Sequence, residues 1–181
     1  KGNDFSPIQK LLNKRRLVLE QAHNKISLLK ELLMNHQNQP IKHTLIYCSD
    51  KNSLQILAVN RLLRDDLGLV FHQITGKETQ MKDLTDDLLD SFAQGSIQVI
   101  SAMKVLDEGV DIPEVSTAFI LASTTVERQW IQRRGRVLRK CARIQKKLAH
   151  IHDFLVLPNR QDIGDSRDPE TIQILKNELV R

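Results

Sequence analysis

Residues His43 to Cys48 read HTLIYC, and this short apolar run decides the fold because runs of the same kind return four times with helical stretches between most of them. Just before it, Asn35 to Pro40 is polar and ends in proline, a combination that stops a helix. After it come an amphipathic stretch from about Lys51 to Asp65 and a second apolar run, Leu69 to Ile74. Thr79 to Ala93 then reads as helix, with Leu84, Leu88, Leu89 and Phe92 on one face. Three more runs follow: Ile97 to Ser101 (IQVIS), Val115 to Ala122 (VSTAFILA) and His150 to Leu157 (HIHDFLVL). Apolar runs that do not alternate with polar residues suit strands covered on both faces, and helices between them supply right-handed crossovers. The fold class that follows is α/β, a three-layer sandwich around a mainly parallel sheet. Ligands in such folds sit at the carboxyl ends of the strands, so the chemistry is expected there.

Upstream, Leu11, Leu12, Leu17, Leu19, Ile26, Leu28, Leu29, Leu32 and Leu33 recur near every third or fourth position, the spacing of one long helix or a helix pair. The expected organisation is a helical linker or brace over 1–39, the α/β domain over 40–160, and a terminal loop and helix over 161–181, the helix from Asp168. A chain of 181 residues can bury one core without staples. No run approaches the roughly 18 apolar residues of a membrane span, and Lys1 to Lys10 lacks the apolar centre of a secretory signal. The expectation is a protein without a membrane partner, cytoplasmic, and nucleoid-associated if bacterial. Its start without methionine suggests that it begins inside a longer polypeptide. Cys48 and Cys141, the two cysteines, read as reduced, buried thiols; they support neither a disulfide framework nor a zinc site.

The net charge of +5 is unevenly placed. From Arg128 to Lys147 there are nine basic side chains and no acidic one, which leaves 18 basic against 22 acidic in the rest. A focused cationic segment is what phosphate binding requires, since the field depends on local density; a solvated basic helix is the alternative. Thr125 to Lys147 is expected to be helical throughout. Within it, Arg136 and Arg139 stand three residues apart, so on a helix both would project from one face toward a single anion. Planar, permanently charged guanidinium groups suit a phosphoryl group, the device of an arginine finger. Gly135 in mid-helix costs about 1 kcal/mol relative to alanine and points to a close approach or a packing need.

The eight residues Gln132-Arg133-Arg134-Gly135-Arg136-Val137-Leu138-Arg139 resemble the Q-x-x-G-R-x-x-R motif VI of superfamily-two helicases. Upstream, Val105 to Pro113 (VLDEGVDIP) is similar to motif V in its E-G-x-D-x-P form. Leu45 to Ser49 resembles motif IV, and Thr75-Gly76 with the helix ending Phe92-Ala93-Gln94-Gly95 resembles the region between them. The likeness runs from about Thr44 to Leu157, in the family's order. It implies the second RecA-like motor domain of an ATP-dependent helicase or translocase. Arg136 and Arg139 would reach the γ-phosphate, and Gln132 would organise the same edge. Gly109 and Asp111 would lie beside the nucleotide, Asp111 near the ribose. Ser49, Gly76 and Ser101 would hydrogen-bond phosphates of the nucleic acid without reading bases. The motif forms lean toward DNA over RNA as the track.

Other readings of the same residues stay open. Asp111 before Ile112-Pro113 also suits a turn, and Arg133 and Arg134 read as solvated or facing nucleic acid. Trp130 reads as core packing, His150 and His152 lack a third ligand for a metal, and Asp107-Glu108 is not the magnesium carboxylate. The chain has no G-x-x-x-x-G-K-[ST] loop and no D-E-x-[DH] box, so it lacks the amide cradle and lysine that hold the β- and γ-phosphates. ATP and Mg2+ would be held mainly by an N-terminal RecA-like domain of the same polypeptide, and the chain alone is not expected to hydrolyse ATP. The alternatives are a degenerate helicase domain kept as a nucleic-acid-binding or protein-docking module, and an unrelated α/β phosphate-binding protein.

Overall fold

The computed structural model describes residues 7–20, 22–35, 40–50, 53–75, 82–103, 112–122, 135 and 137–156, together with positions 169, 172, 173 and 176. The elements run α1 (Pro7–Glu20), α2 (Asn24–Asn35), β1 (Thr44–Tyr47), α3 (Leu54–Arg61), β2 (Phe71–Ile74), α4 (Lys82–Gln94), β3 (Val99–Ala102), β4 (Thr117–Ile120) and β5 (His150–Asp153). The leading segment is thus a helix pair, and each of the five apolar runs contains one strand. Pro169, Ile172, Gln173 and Lys176 are helical, on the stretch expected as the terminal helix; the rest of it lies outside the described residues.

All five strands are parallel, in the order β2-β3-β1-β4-β5. In register, Ile46 stands between Ser101 and Phe119, and Tyr47 between Ala102 and Ile120. Successive side chains point to opposite faces, and both are buried. Leu45, Tyr47, Ile100, Ala102, Ala118 and Ile120 meet Leu88 and Phe92 of α4. Ile46, Cys48, Val99, Phe119 and Leu121 meet Leu29 and Leu33 of α2 and Ile56 and Val59 of α3. Double coverage explains why these strands read as unbroken apolar runs. It also matches the handedness rule: α3 leads outward to β2 on one face, and α4 leads back on the other.

Two helix ends fix the strand entries. After α3 the backbone widens into a π turn, Leu62–Asp66, which keeps Leu62 and Leu63 buried. Gly68 at φ +59° then turns the chain toward β2, a left-handed conformation that favours glycine. Gly95, at φ +80°, does the same after α4, with Ser96 N–H donating to the Ser91 carbonyl at 3.0 Å.

The segment expected as a helical linker or brace, 1–39, includes α2. This helix buries Leu29 and Leu33 in the sheet's own core, so it is part of the sandwich rather than a linker. By contrast, Ile8, Leu11 and Val18 of α1 are exposed.

Candidate functional site

The carboxyl edge of the sheet is where the expected site lies. β1 is followed by a connection toward the β2 edge and β4 by one toward the β5 edge, so their neighbouring carboxyl ends form the switch point where α/β sheets bind ligands. Two polar side chains fasten this edge. The Ser49 amide donates to Oε1 of buried Gln55 on α3 at 2.7 Å, and the buried Lys25 ammonium on α2 donates to the Leu121 carbonyl at 2.6 Å. Ser49 is itself 3% exposed; it sits at the edge, as expected, with little of its surface open.

Ser101 is placed differently from the expectation. It is fully buried on the α3 face, and its hydroxyl donates to Asn60 Oδ1 at 2.7 Å. Asn60 Nδ2 in turn donates to Gln73 Oε1 at 2.6 Å. The hydroxyl is committed to an internal chain of hydrogen bonds linking α3, β2 and β3. A buried polar group in an apolar row needs such partners.

The basic segment also departs from a single helix. Gly135 and Val137 are helical, Leu138 is in a turn, and Arg139 lies beyond the helix, exposed. Arg139 is therefore not helical, and Arg136 falls outside the described residues. From Cys141 to Lys146 the chain makes a tight turn, closed by Lys146 N–H to the Cys141 carbonyl at 2.9 Å and Gln145 N–H to the Ala142 carbonyl at 3.1 Å. Gln145 adopts φ +52° there.

Two of the nine basic side chains serve this turn rather than a surface field. Lys146 is buried, and its ammonium donates to three carbonyls, those of Pro113 at 2.6 Å, Val115 at 2.7 Å and Val137 at 3.0 Å. Arg143 pairs with Asp90 on α4 at 2.9 Å and lies 3.7 Å from buried Glu114. Exposed pairs such as Arg143 with Asp90 contribute at most about 1 kcal/mol. An ammonium with its three protons accepted is a firmer tie. Among the described basic residues of the segment, Arg139, Lys140, Arg143 and Lys147 are exposed and Lys146 is buried.

Gln132, Arg136, Gly109, Asp111 and Gly76 lie outside the described residues, as do Trp130, Asp107 and Glu108. His150 is exposed, and His152 stacks on Phe119 with ring centroids 4.7 Å apart. The Lys146 tie, the Lys25 contact and the Asn60 chain were not legible in the sequence.

The family described as the helicase conserved C-terminal domain matches residues 24–141, from the first residue of α2 into the tight turn. This chain is a helicase C-terminal domain. The domain is 29% identical over 119 residues to the DNA 3'-5' translocase XPB2 of Sulfurisphaera tokodaii, covering 66% of this chain and 24% of that protein. It is 26% identical over 110 residues to the Endoribonuclease Dicer homolog 2a of Oryza sativa subsp. japonica, covering 59% of this chain and 7% of that protein. The helicase domain thus spans a quarter or less of the curated relatives that it matches. Among solved structures it resembles the Hef helicase domain of Pyrococcus furiosus, with a TM-score of 0.55 and 24% identity over 77% of this chain and 27% of that one. It also resembles the C-terminal part of the Fun30 ATPase domain, with a TM-score of 0.61 and 19% identity over 88% and 46%. The C-terminal domain of the DEAD-box protein Dbp5 gives 0.53 and 22% over 84% and 74%. These structural likenesses carry the parallel RecA-like fold.

Proposed function

We propose that this domain is the second motor half of an ATP-dependent DNA translocase or helicase, acting on a nucleotide held by a first RecA-like domain. The single observation that carries the reading is the helicase conserved C-terminal domain match over residues 24–141, within which the E-G-x-D-x-P and Q-x-x-G-R-x-x-R forms follow in order. Arg139 is exposed two residues past buried Val137, whose carbonyl Lys146 ties to those of Pro113 and Val115. ATP with Mg2+ supplies a phosphoryl group on which negative charge is spread during transfer. Arg136 and Arg139 would meet that charge, with Gln132 ordering the edge and Gly109 and Asp111 flanking the nucleotide. Ser49 and Gly76 would stand toward the nucleic-acid backbone. Alternate approach and withdrawal of the arginines would move the two domains along the strand.

DNA is favoured over RNA by the E-G-x-D-x-P and Q-x-x-G-R-x-x-R forms, and the relative named as a DNA translocase supports the same choice. In the complete polypeptide that carries this domain, Arg139→Ala should lower nucleic-acid-stimulated ATP turnover by about a thousandfold or more, as loss of an arginine finger does. ATP affinity should hold, because the contact belongs to the transition state. Equal losses of turnover and affinity would refute the role. The isolated chain should release no phosphate above background in a malachite-green assay with DNA present.

A further inference from the structure

We infer that Lys146 is a positioning residue: its ammonium locks the end of the motif V segment to the backbone at Val137, so that Arg139 two residues on keeps a fixed place. This rests on the motor reading above. The three carbonyls that it holds come from two separate parts of the chain, 113–115 and 137. Pro113 ends the E-G-x-D-x-P segment, Val115 leads into β4, and Val137 lies between Arg136 and Arg139. All three distances, 2.6 to 3.0 Å, are those of charge-assisted hydrogen bonds. An ammonium has three protons, and here three carbonyls receive them.

Packing alone gives no reason for a lysine here. Burying a charge is costly, and the cost is offset here only because three carbonyls accept from the ammonium. What an ammonium adds is convergence, since one point charge draws three carbonyls to one centre. Arg143 braces the same turn from outside, against Asp90 on α4 and Glu114 between Pro113 and Val115. The turn from Cys141 to Lys146 thereby works as a clip across the two motif segments. A shift of about 1 Å in a positioning group can lower a rate by about a hundredfold, so a clip of this kind bears on turnover without touching the nucleotide.

The test is a double-variant cycle in the complete polypeptide, comparing wild type, Lys146→Met, Arg139→Ala and the two combined, with kcat and KM for ATP measured on saturating DNA. Lys146→Met should lower kcat on the order of 10- to 100-fold with KM for ATP nearly unchanged. The combined variant should be no slower than Arg139→Ala alone, because Lys146 acts through the arginine. Hydrogen exchange should quicken together at 112–115 and 137–140 while β1 and β3 keep their protection. A kcat for Lys146→Met near the wild-type value, or losses that multiply in the combined variant, would overturn the inference. If Arg139→Ala itself leaves turnover intact, it is the motor reading that falls. Should the methionine variant not fold, Lys146→Arg takes its place in the same cycle, since a planar fork does not converge on three carbonyls as an ammonium does.

Discussion

Lys25 and Lys146 are both buried lysines that donate to backbone carbonyls, yet they hold regions built on different principles. Lys25 belongs to α2, which also buries Leu29 and Leu33 against Ile46, Phe119 and Leu121. Its bond to the Leu121 carbonyl adds to an anchorage that apolar contact already secures. Lys146 belongs to a turn whose Ala142, Arg143 and Gln145 are exposed, so polar ties carry most of the attachment. Where apolar area is available, a polar contact refines a position; where it is not, the polar contact sets it. The helix is the scaffold, and the turn is the adjustable part beside the proposed chemistry.

The largest expected difference lies between these two lysines. Lys146→Met should destabilise the chain by about 3 kcal/mol, because buried acceptors lose their donor, and Lys25→Met by about 1 kcal/mol. Urea unfolding of both variants checks the contrast, and a Lys25 variant as costly as the Lys146 variant would erase it. Next, Ser101→Ala should cost about 1 kcal/mol by removing the hydroxyl that donates to part-buried Asn60 Oδ1. Fluorescence anisotropy on the complete polypeptide should show no loss of DNA affinity from that change. A weakened complex with intact stability would return Ser101 to the nucleic-acid face.

The smallest effect tests how dry the α2/α3 face is. Burial pushes the Cys48 thiol well above its ordinary range, so the folded state keeps the proton where the unfolded chain releases it. The thiol's contribution is therefore complete below the unfolded value of about 8.5 and is lost as pH rises above it, at up to about 1.4 kcal/mol per pH unit. Stability of the parent and of Cys48→Ala between pH 8 and pH 10 should differ by that slope. Parallel curves would mean that water reaches Cys48.

The sheet was legible because each strand is covered on both faces, which forces runs such as Leu45 to Cys48 and Ala118 to Leu121 to be apolar throughout. Helix α4 was legible from the face that carries Leu88 and Phe92. The segment from Leu138 to Lys147 was misread for a physical reason. Val137, Cys141 and Ile144 keep helical spacing, but the chain there is turned by contacts to Pro113 and Val115, and local periodicity does not register such partners. Ser101 was misplaced for the same reason, since its partner Asn60 lies forty-one residues earlier. Motif resemblance alone marks Gln132, Arg136, Gly109, Asp111 and Gly76.

The order β2-β3-β1-β4-β5 puts the earliest strand in the middle of the sheet. Thr44 meets Val99 on one side and Thr117 on the other. While the chain is being synthesised, β1 therefore emerges as an unpaired apolar ribbon and stays so until Val99 and later Thr117 have left the ribosome. Such delayed, non-local pairing slows folding and leaves sticky edges exposed. The nascent domain has its greatest need of chaperone shelter in that interval, which closes when Thr117 pairs with Thr44.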